Sequence, residues 1–100
     1  ARLQAVIRER KNGDAGSSYV ASLFAKGREK IAQKVGEEAT ETVIAALTGS
    51  ADELTSEAAD LLFHLMILLE DAGTSFAAVL SELERRDGVS GHAEKAARAE

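Results

Sequence analysis

Residues 52–72, DELTSEAADLLFHLMILLEDA, decide the fold. Turned at about 100° per residue, the run from Leu61 to Leu69 is apolar nearly all the way round, which describes a helix buried on more than one side. Its most apolar part, Ala58 to Leu69, is interrupted by Asp60 and His64 and falls well short of the ~20 residues that a membrane span needs. The segment therefore reads as a buried helix of a soluble protein, with Ser50 or Asp52 available as its N-terminal cap. A single chain of this length has little to lay on both sides of such a helix. A second copy of the chain is the natural source of the missing cover.

Upstream, about Arg28 to Leu47, a second long helix places Ile31, Val35, Thr42 and Ala46 within one arc, and Thr48-Gly49-Ser50 closes it. Further out, Leu3, Val6 and Ile7 form a first stripe that stops near Asn12-Gly13-Asp14. Ser17 or Ser18 can then cap a short helix carrying Tyr19, Leu23 and Phe24, which Gly27 ends or bends. Downstream, Thr74 or Ser75 can cap a last helix, Phe76 to Arg86, striped by Val79, Leu80 and Leu83. Pro is absent and Gly falls mostly at these breaks. The expected fold is all-α, four to five helices per chain, completed by dimerisation or a higher homo-oligomer. The domain should span residues 1–87, and residues 88–100, which lack a stripe, should form a mobile tail.

A chain of 100 residues makes one small domain of modest core. Without Cys it has neither disulfides nor thiolate metal sites, which excludes a stapled secreted scaffold. Twelve basic against seventeen acidic side chains give a net charge of -5, against general affinity for nucleic acid or anionic membrane. No signal peptide is visible at the N-terminus, and a cytoplasmic location is expected.

The two long helices each carry a paired acidic motif. Glu37-Glu38-Ala39-Thr40-Glu41 reads EExxE, and Glu57-Ala58-Ala59-Asp60 reads ExxD. Residues three apart share a helix face. Rotation places Glu38 at the border of the apolar arc and Glu37 further out, while Glu57 and Asp60 fall into one stripe with Leu61, His64 and Leu68. Two carboxylates about 4 Å apart repel by roughly 4 kcal/mol at an effective dielectric near 20, so a cluster of four calls for a counter-ion. An all-oxygen ligand set selects a hard divalent cation, Mg²⁺ with Mn²⁺ as a substitute. EExxE alone is equally an ordinary solvated face, but its joint occurrence with ExxD a short loop away favours a metal centre. Di-iron cages built on Glu-x-x-His pairs are not matched, because only His64 is near, and a lone His is more simply a hydrogen-bonded core residue.

Lys30 and Lys34 lie a turn apart, and Lys34 a turn before Glu38, so ammonium groups and metal share one surface suited to a polyphosphate. Arg10 and Lys11, with Arg8, make a second basic group before the Asn12-Gly13 turn; it is either a further phosphate contact or a solvated helix end.

In order along the chain, Ser18-Tyr19, Leu23-Phe24, Gly27, Lys30-Ile31, the run Lys34-Val35-Gly36-Glu37-Glu38-Ala39 with Glu41, and Glu57 through His64 resemble the phosphoribosyl-ATP pyrophosphohydrolase family. This family lies within the all-alpha nucleotide pyrophosphatase superfamily that includes the MazG proteins. The resemblance covers about Arg10 to Arg86. It implies hydrolysis of N1-(5-phosphoribosyl)-ATP to N1-(5-phosphoribosyl)-AMP and pyrophosphate, the second step of histidine biosynthesis, with magnesium and in a dimer or larger assembly. It also implies that Glu38, Glu41, Glu57 and Asp60 bind metal, with Glu37 a nearby acid or alternative ligand, and that Lys30 and Lys34 contact phosphate. Phe63 stands where Tyr is common, Val20 where Thr is common, and no Pro precedes Ser18. Many relatives carry a cyclohydrolase domain with zinc-binding cysteines, so this Cys-free chain is expected to be the stand-alone form. The alternative activity is a house-cleaning pyrophosphatase of noncanonical nucleoside triphosphates, and outside enzymes, a helical partner module that docks through its acids.

Overall fold

The computed structural model describes residues 2–87, which form five helices and no strand: α1 (Arg2–Arg10), α2 (Tyr19–Lys26), α3 (Arg28–Thr48), α4 (Ala51–Asp71) and α5 (Phe76–Asp87). The expected tail, 88–100, lies outside the described residues. The all-α expectation holds, with boundaries close to those read from the apolar spacing.

The helix ends follow local chemistry. Ser18, not Ser17, caps α2, its Oγ accepting from the Ala21 N–H at 3.2 Å. Ser50 starts α4 with a reciprocal pair: its Oγ accepts from the Glu53 N–H, and the Glu53 carboxylate accepts from the Ser50 N–H. Ser75 precedes α5 and makes only the first of these two bonds, its Oγ accepting from the Ala78 N–H. Between α2 and α3 the chain turns at Gly27, whose φ of 95° lies where a side chain would be strained.

α3 and α4, 21 residues each, form the most extensive helix pair. At ~1.5 Å per residue each is about 31 Å long. Ile31 and Ala45 are buried on α3, with Val35, Glu38 and Thr42 half-buried between them. The sequence arc ended on Ala46, which is exposed. The inward positions step by four, three, four and three residues, a mean of 3.5, and such a seam drifts about 20° per seven residues from an untwisted helix, enough to bring Ala45 inward in place of Ala46.

At the other end of the hairpin, Ile7 of α1, Val20 and Leu23 of α2, Ile31 of α3, and Met66 and Ile67 of α4 form the core, flanked by Phe24, Phe63, Leu68 and Phe76. Buried Gln4 crosses this core edge as a polar tie. Its amide nitrogen donates to the Met66 carbonyl and the Glu70 carboxylate, and its amide oxygen accepts from the Phe76 N–H at 3.1 Å, which anchors the start of α5. Beyond that anchor α5 buries no residue.

Among the described residues, 2–87, the second cover expected for α4 is not supplied. Leu62 of α4, Val43, Ile44 and Leu47 of α3, and Leu80 and Leu83 of α5 are all exposed. No single described helix is long and apolar enough to cross a membrane.

Candidate metal centre

The α3–α4 seam sets the acids against one another. Glu38 occupies an inward seam position, its side chain 15% exposed, whereas that of Glu37, one residue earlier, is 49% exposed. Across the seam, one carboxylate oxygen each from Glu38, Glu57 and Asp60 lie within 4.8 Å of one another. Thr42 holds the register here. Its hydroxyl lies 2.8 Å from the Glu38 carbonyl oxygen in its own helix and 3.2 Å from the Glu57 carbonyl oxygen in the next, so one proton is shared between two backbones.

Glu41 stands outside this trio, exposed, yet close enough for its charge to act on Glu57. Loss of hydration first, and then the charges of Glu41, Asp60 and Glu38, push the Glu57 carboxyl above its ordinary value of 4.5. Such mutual repulsion is what a divalent cation would cancel. The three oxygens, one from each side chain and all within 4.8 Å of one another, are close enough together to be held by a single ion. The donor set is all carboxylate, and the residues therefore fit a hard cation.

The positive side of the site lies on α3. Lys34 Nζ is 3.5 Å from Glu37 Oε1 and 3.9 Å from Glu38 Oε1. The phenol of Tyr19, once ionised, and then Glu37 and Glu38 raise Lys34 above its ordinary 10.5, so it stays an ammonium throughout the neutral range. Glu37 is pulled down chiefly by the hydrogen bond from the Gln33 amide at 2.9 Å, then by Lys34, and Lys30 adds to the same effect. Glu37 thus serves the lysines from the outer side.

His64 is 5% exposed and both of its ring nitrogens are engaged. Nδ1 donates to the Asp60 carbonyl oxygen at 2.7 Å, which leaves Nε2 to accept from the Tyr19 hydroxyl at 2.8 Å. Tyr19 lies nearly parallel to Phe63, with ring centroids 6.5 Å apart at 17°. The two aromatics border a cavity of about 560 Å³ that opens between α4 and the loop leading to α2, with Arg10, Asp14 and Ser18 on its other walls. Lys11 faces away, its ammonium 5.4 Å from the centre of the Phe24 ring, over a separate groove. The structure therefore gathers Glu38, Glu57 and Asp60 tightly, keeps Glu41 and Lys34 beside them, sets Lys30 near Glu37, and splits Arg10 from Lys11.

The model of the phosphoribosyl-ATP pyrophosphohydrolase family matches residues 1–87. The chain belongs to this family. It is 63% identical over 97 residues to a protein of Rhizorhabdus wittichii named phosphoribosyl-ATP pyrophosphatase, covering 97% of this chain and 92% of that one. Proteins of the same name from Novosphingobium aromaticivorans and Zymomonas mobilis are 65% and 62% identical over 98 residues, each match covering 98% of this chain and 92% of the relative.

Two features of this family member were not apparent from spacing alone. Thr42 looks in sequence like a filler of an apolar arc, because nothing in a lone Thr announces a hydrogen bond to the next helix. Tyr19 and His64 are 45 residues apart, and only the packing of α2 on α4 joins them. For His64, the reading as a hydrogen-bonded core residue agrees with the geometry.

Proposed function

We propose that this chain hydrolyses N1-(5-phosphoribosyl)-ATP to N1-(5-phosphoribosyl)-AMP and pyrophosphate, a step of histidine biosynthesis, at a magnesium centre held by Glu38, Glu57 and Asp60 with Glu41 as the fourth acid. The observation that carries this reading is the convergence of three carboxylate oxygens within 4.8 Å, on two helices, in a chain of this family. Release of pyrophosphate from a triphosphate breaks the bond between its first and second phosphoryl groups. Water adds to one phosphorus, and the bridging oxygen leaves with the other.

When bound, Mg²⁺, or Mn²⁺ in its place, would neutralise phosphate charge and lower the pKa of an attacking water. The chain's own part is placement. Lys34, beside Glu38, and Lys30, a turn before it on α3, balance the remaining phosphate charge as it redistributes. Thr42 keeps Glu38 and Glu57 in register across the seam. Glu37, tied to Gln33 and Lys34, keeps the Lys34 ammonium close to the centre.

The exposed apolar residues on α3, α4 and α5 support assembly as a homodimer or higher homo-oligomer, in which α4 gains its second cover. Cytoplasmic location is part of the same reading, as is the absence of nucleic-acid or membrane partners.

The assay is pyrophosphate release by purified protein with MgCl₂, from phosphoribosyl-ATP and from a panel of canonical and noncanonical nucleoside triphosphates. Turnover of phosphoribosyl-ATP in preference to the panel is expected. Hydrolysis of the panel with no turnover of phosphoribosyl-ATP would overturn the assignment in favour of a house-cleaning pyrophosphatase.

A further inference from the structure

Phosphoribosyl-ATP carries phosphate at two ends, a triphosphate and the 5′-phosphate of the second ribose, and a metal-and-lysine centre accounts for only the first. The cavity beside Tyr19 begins where that centre stops. Phe63, on its wall, follows Asp60 by three residues, about 4.5 Å along the axis of α4. Tyr19, on the same wall, is bonded to His64, which is itself bonded to the Asp60 carbonyl. Tyr19 is also near enough to act on Lys34, so the cavity is the neighbouring space for a ligand anchored by its polyphosphate at the acids. Its volume, about 560 Å³, is ample for a purine and a phosphorylated ribose and lies within the range of small-molecule sites.

The walls are specific in chemistry. Tyr19 is 51% exposed, yet its ring is held from two sides, by the hydroxyl bond to His64 and by Phe63 behind it. An exposed aromatic fixed in this way presents a ready face for a base to stack upon. The cations at the end of α1 are divided. Arg8 is paired with Glu70 at 3.3 Å, and Lys11 sits over Phe24. Arg10, on the cavity wall, has no ion-pair partner among the described residues. The nearby Asp14 carboxylate is turned back to accept the Gly16 N–H at 2.9 Å, and the Asp14 carbonyl accepts from the Ser17 and Ser18 N–H groups, so this acid shapes the loop.

We infer that the cavity bounded by Tyr19, Phe63 and Arg10 receives the purine and the N1-phosphoribosyl group, with Tyr19 stacking on the base and Arg10 pairing with the distal 5′-phosphate. Arg10 then separates phosphoribosyl-ATP from ATP, which has no phosphate to offer there. The inference rests on the substrate assigned under the proposed function. It adds a phosphate subsite remote from the metal centre, and with it the origin of substrate choice.

The test is calorimetric binding of two probes that lack the pyrophosphate, phosphoribosyl-AMP and AMP, to the full chain and to Arg10→Gln, Tyr19→Leu and Tyr19→Phe. Arg10→Gln should weaken phosphoribosyl-AMP about tenfold and leave AMP unchanged. Tyr19→Leu should weaken both probes, and Tyr19→Phe, which keeps the ring but loses the hydroxyl bond that holds it, should weaken both less than Tyr19→Leu does. Unchanged phosphoribosyl-AMP affinity in Arg10→Gln, or equal weakening of the two probes, would overturn the subsite. Because Arg10 is exposed, its variant should melt with wild type, so an affinity loss is not a folding loss. Wild-type turnover reports separately on the reaction: turnover with unaltered Arg10→Gln binding sinks the subsite alone, and absent turnover sinks the substrate assignment on which it rests.

Discussion

Replacing Glu38 by Gln should reverse the order of stability of variant and wild type according to whether magnesium is present. The substitution keeps the shape of the side chain, and the backbone bond from Thr42 goes to the Glu38 carbonyl, which the substitution does not touch. What it removes is one negative charge from a cluster whose oxygens lie within 4.8 Å. At that separation Glu38 and Asp60 repel by about 0.9 kcal/mol in a water-like dielectric and about 3.5 kcal/mol at a dielectric near 20. Asp60 is exposed, so the lower figure governs. Against it stands the loss of the Lys34 contact at 3.9 Å, about 0.3–0.5 kcal/mol for a helical ion pair. Without metal the variant should therefore melt level with wild type or a few degrees above it, at about 4–8 °C per kcal/mol for a domain of this size. With Mg²⁺ at about one hundred times its dissociation constant, wild type gains about 2.7 kcal/mol, and the variant, short of one ligand, gains much less. Differential scanning fluorimetry in EDTA and then in excess MgCl₂ reads both arms. A variant that melts far below wild type in EDTA, or that keeps the full magnesium shift, would refute the reasoning.

Magnesium affinity should fall as pH is lowered, because the Glu57 carboxyl is raised above 4.5 and a proton competes with the metal for it. The same raised value means that the metal-free fold is penalised above the folded pKa and relieved as pH falls through it toward 4.5; titration calorimetry at a series of pH values that showed constant affinity down to 4.5 would contradict this. Tyr19→Phe should destabilise the fold by about 1–3 kcal/mol, since it leaves the buried His64 Nε2 without its donor, with the lower end expected where water reaches the half-exposed phenol position. Urea unfolding with an unchanged midpoint would show that the bond contributes nothing. Leu47, 80% exposed, belongs to the apolar residues that support assembly, so Leu47→Lys should change the stability of the single subunit by no more than about 0.5 kcal/mol yet run in light scattering at half or less of the wild-type mass; an unchanged mass would remove this end of α3 from the interface.

How far the sequence could be read differs between backbone and site for a physical reason. Helices and caps are local: apolar spacing, Ser before a helix and Gly after one are decided within a few residues, so α2 to α5 were legible almost to their ends. The acidic cluster was legible because its members come in two local pairs, each on one turn, and the short loop at Gly49-Ser50 leaves α3 and α4 little choice but to lie side by side. Rotation could even order Glu37 outside Glu38, since both belong to one helix. It could not place Glu41 relative to the other acids, because that depends on how the two helices wind about each other, and the same winding moved the inward position from Ala46 to Ala45. The cavity was beyond reach for a stronger version of that reason. Its walls come from α1, the loop after it, α2 and α4, and no spacing rule links Arg10 to Phe63 across 53 residues of chain. The chemistry that defines the reaction type thus lies in short-range pattern. The groups inferred to choose among substrates meet only through tertiary packing, which makes the Arg10 binding experiment the one that sequence comparison cannot replace.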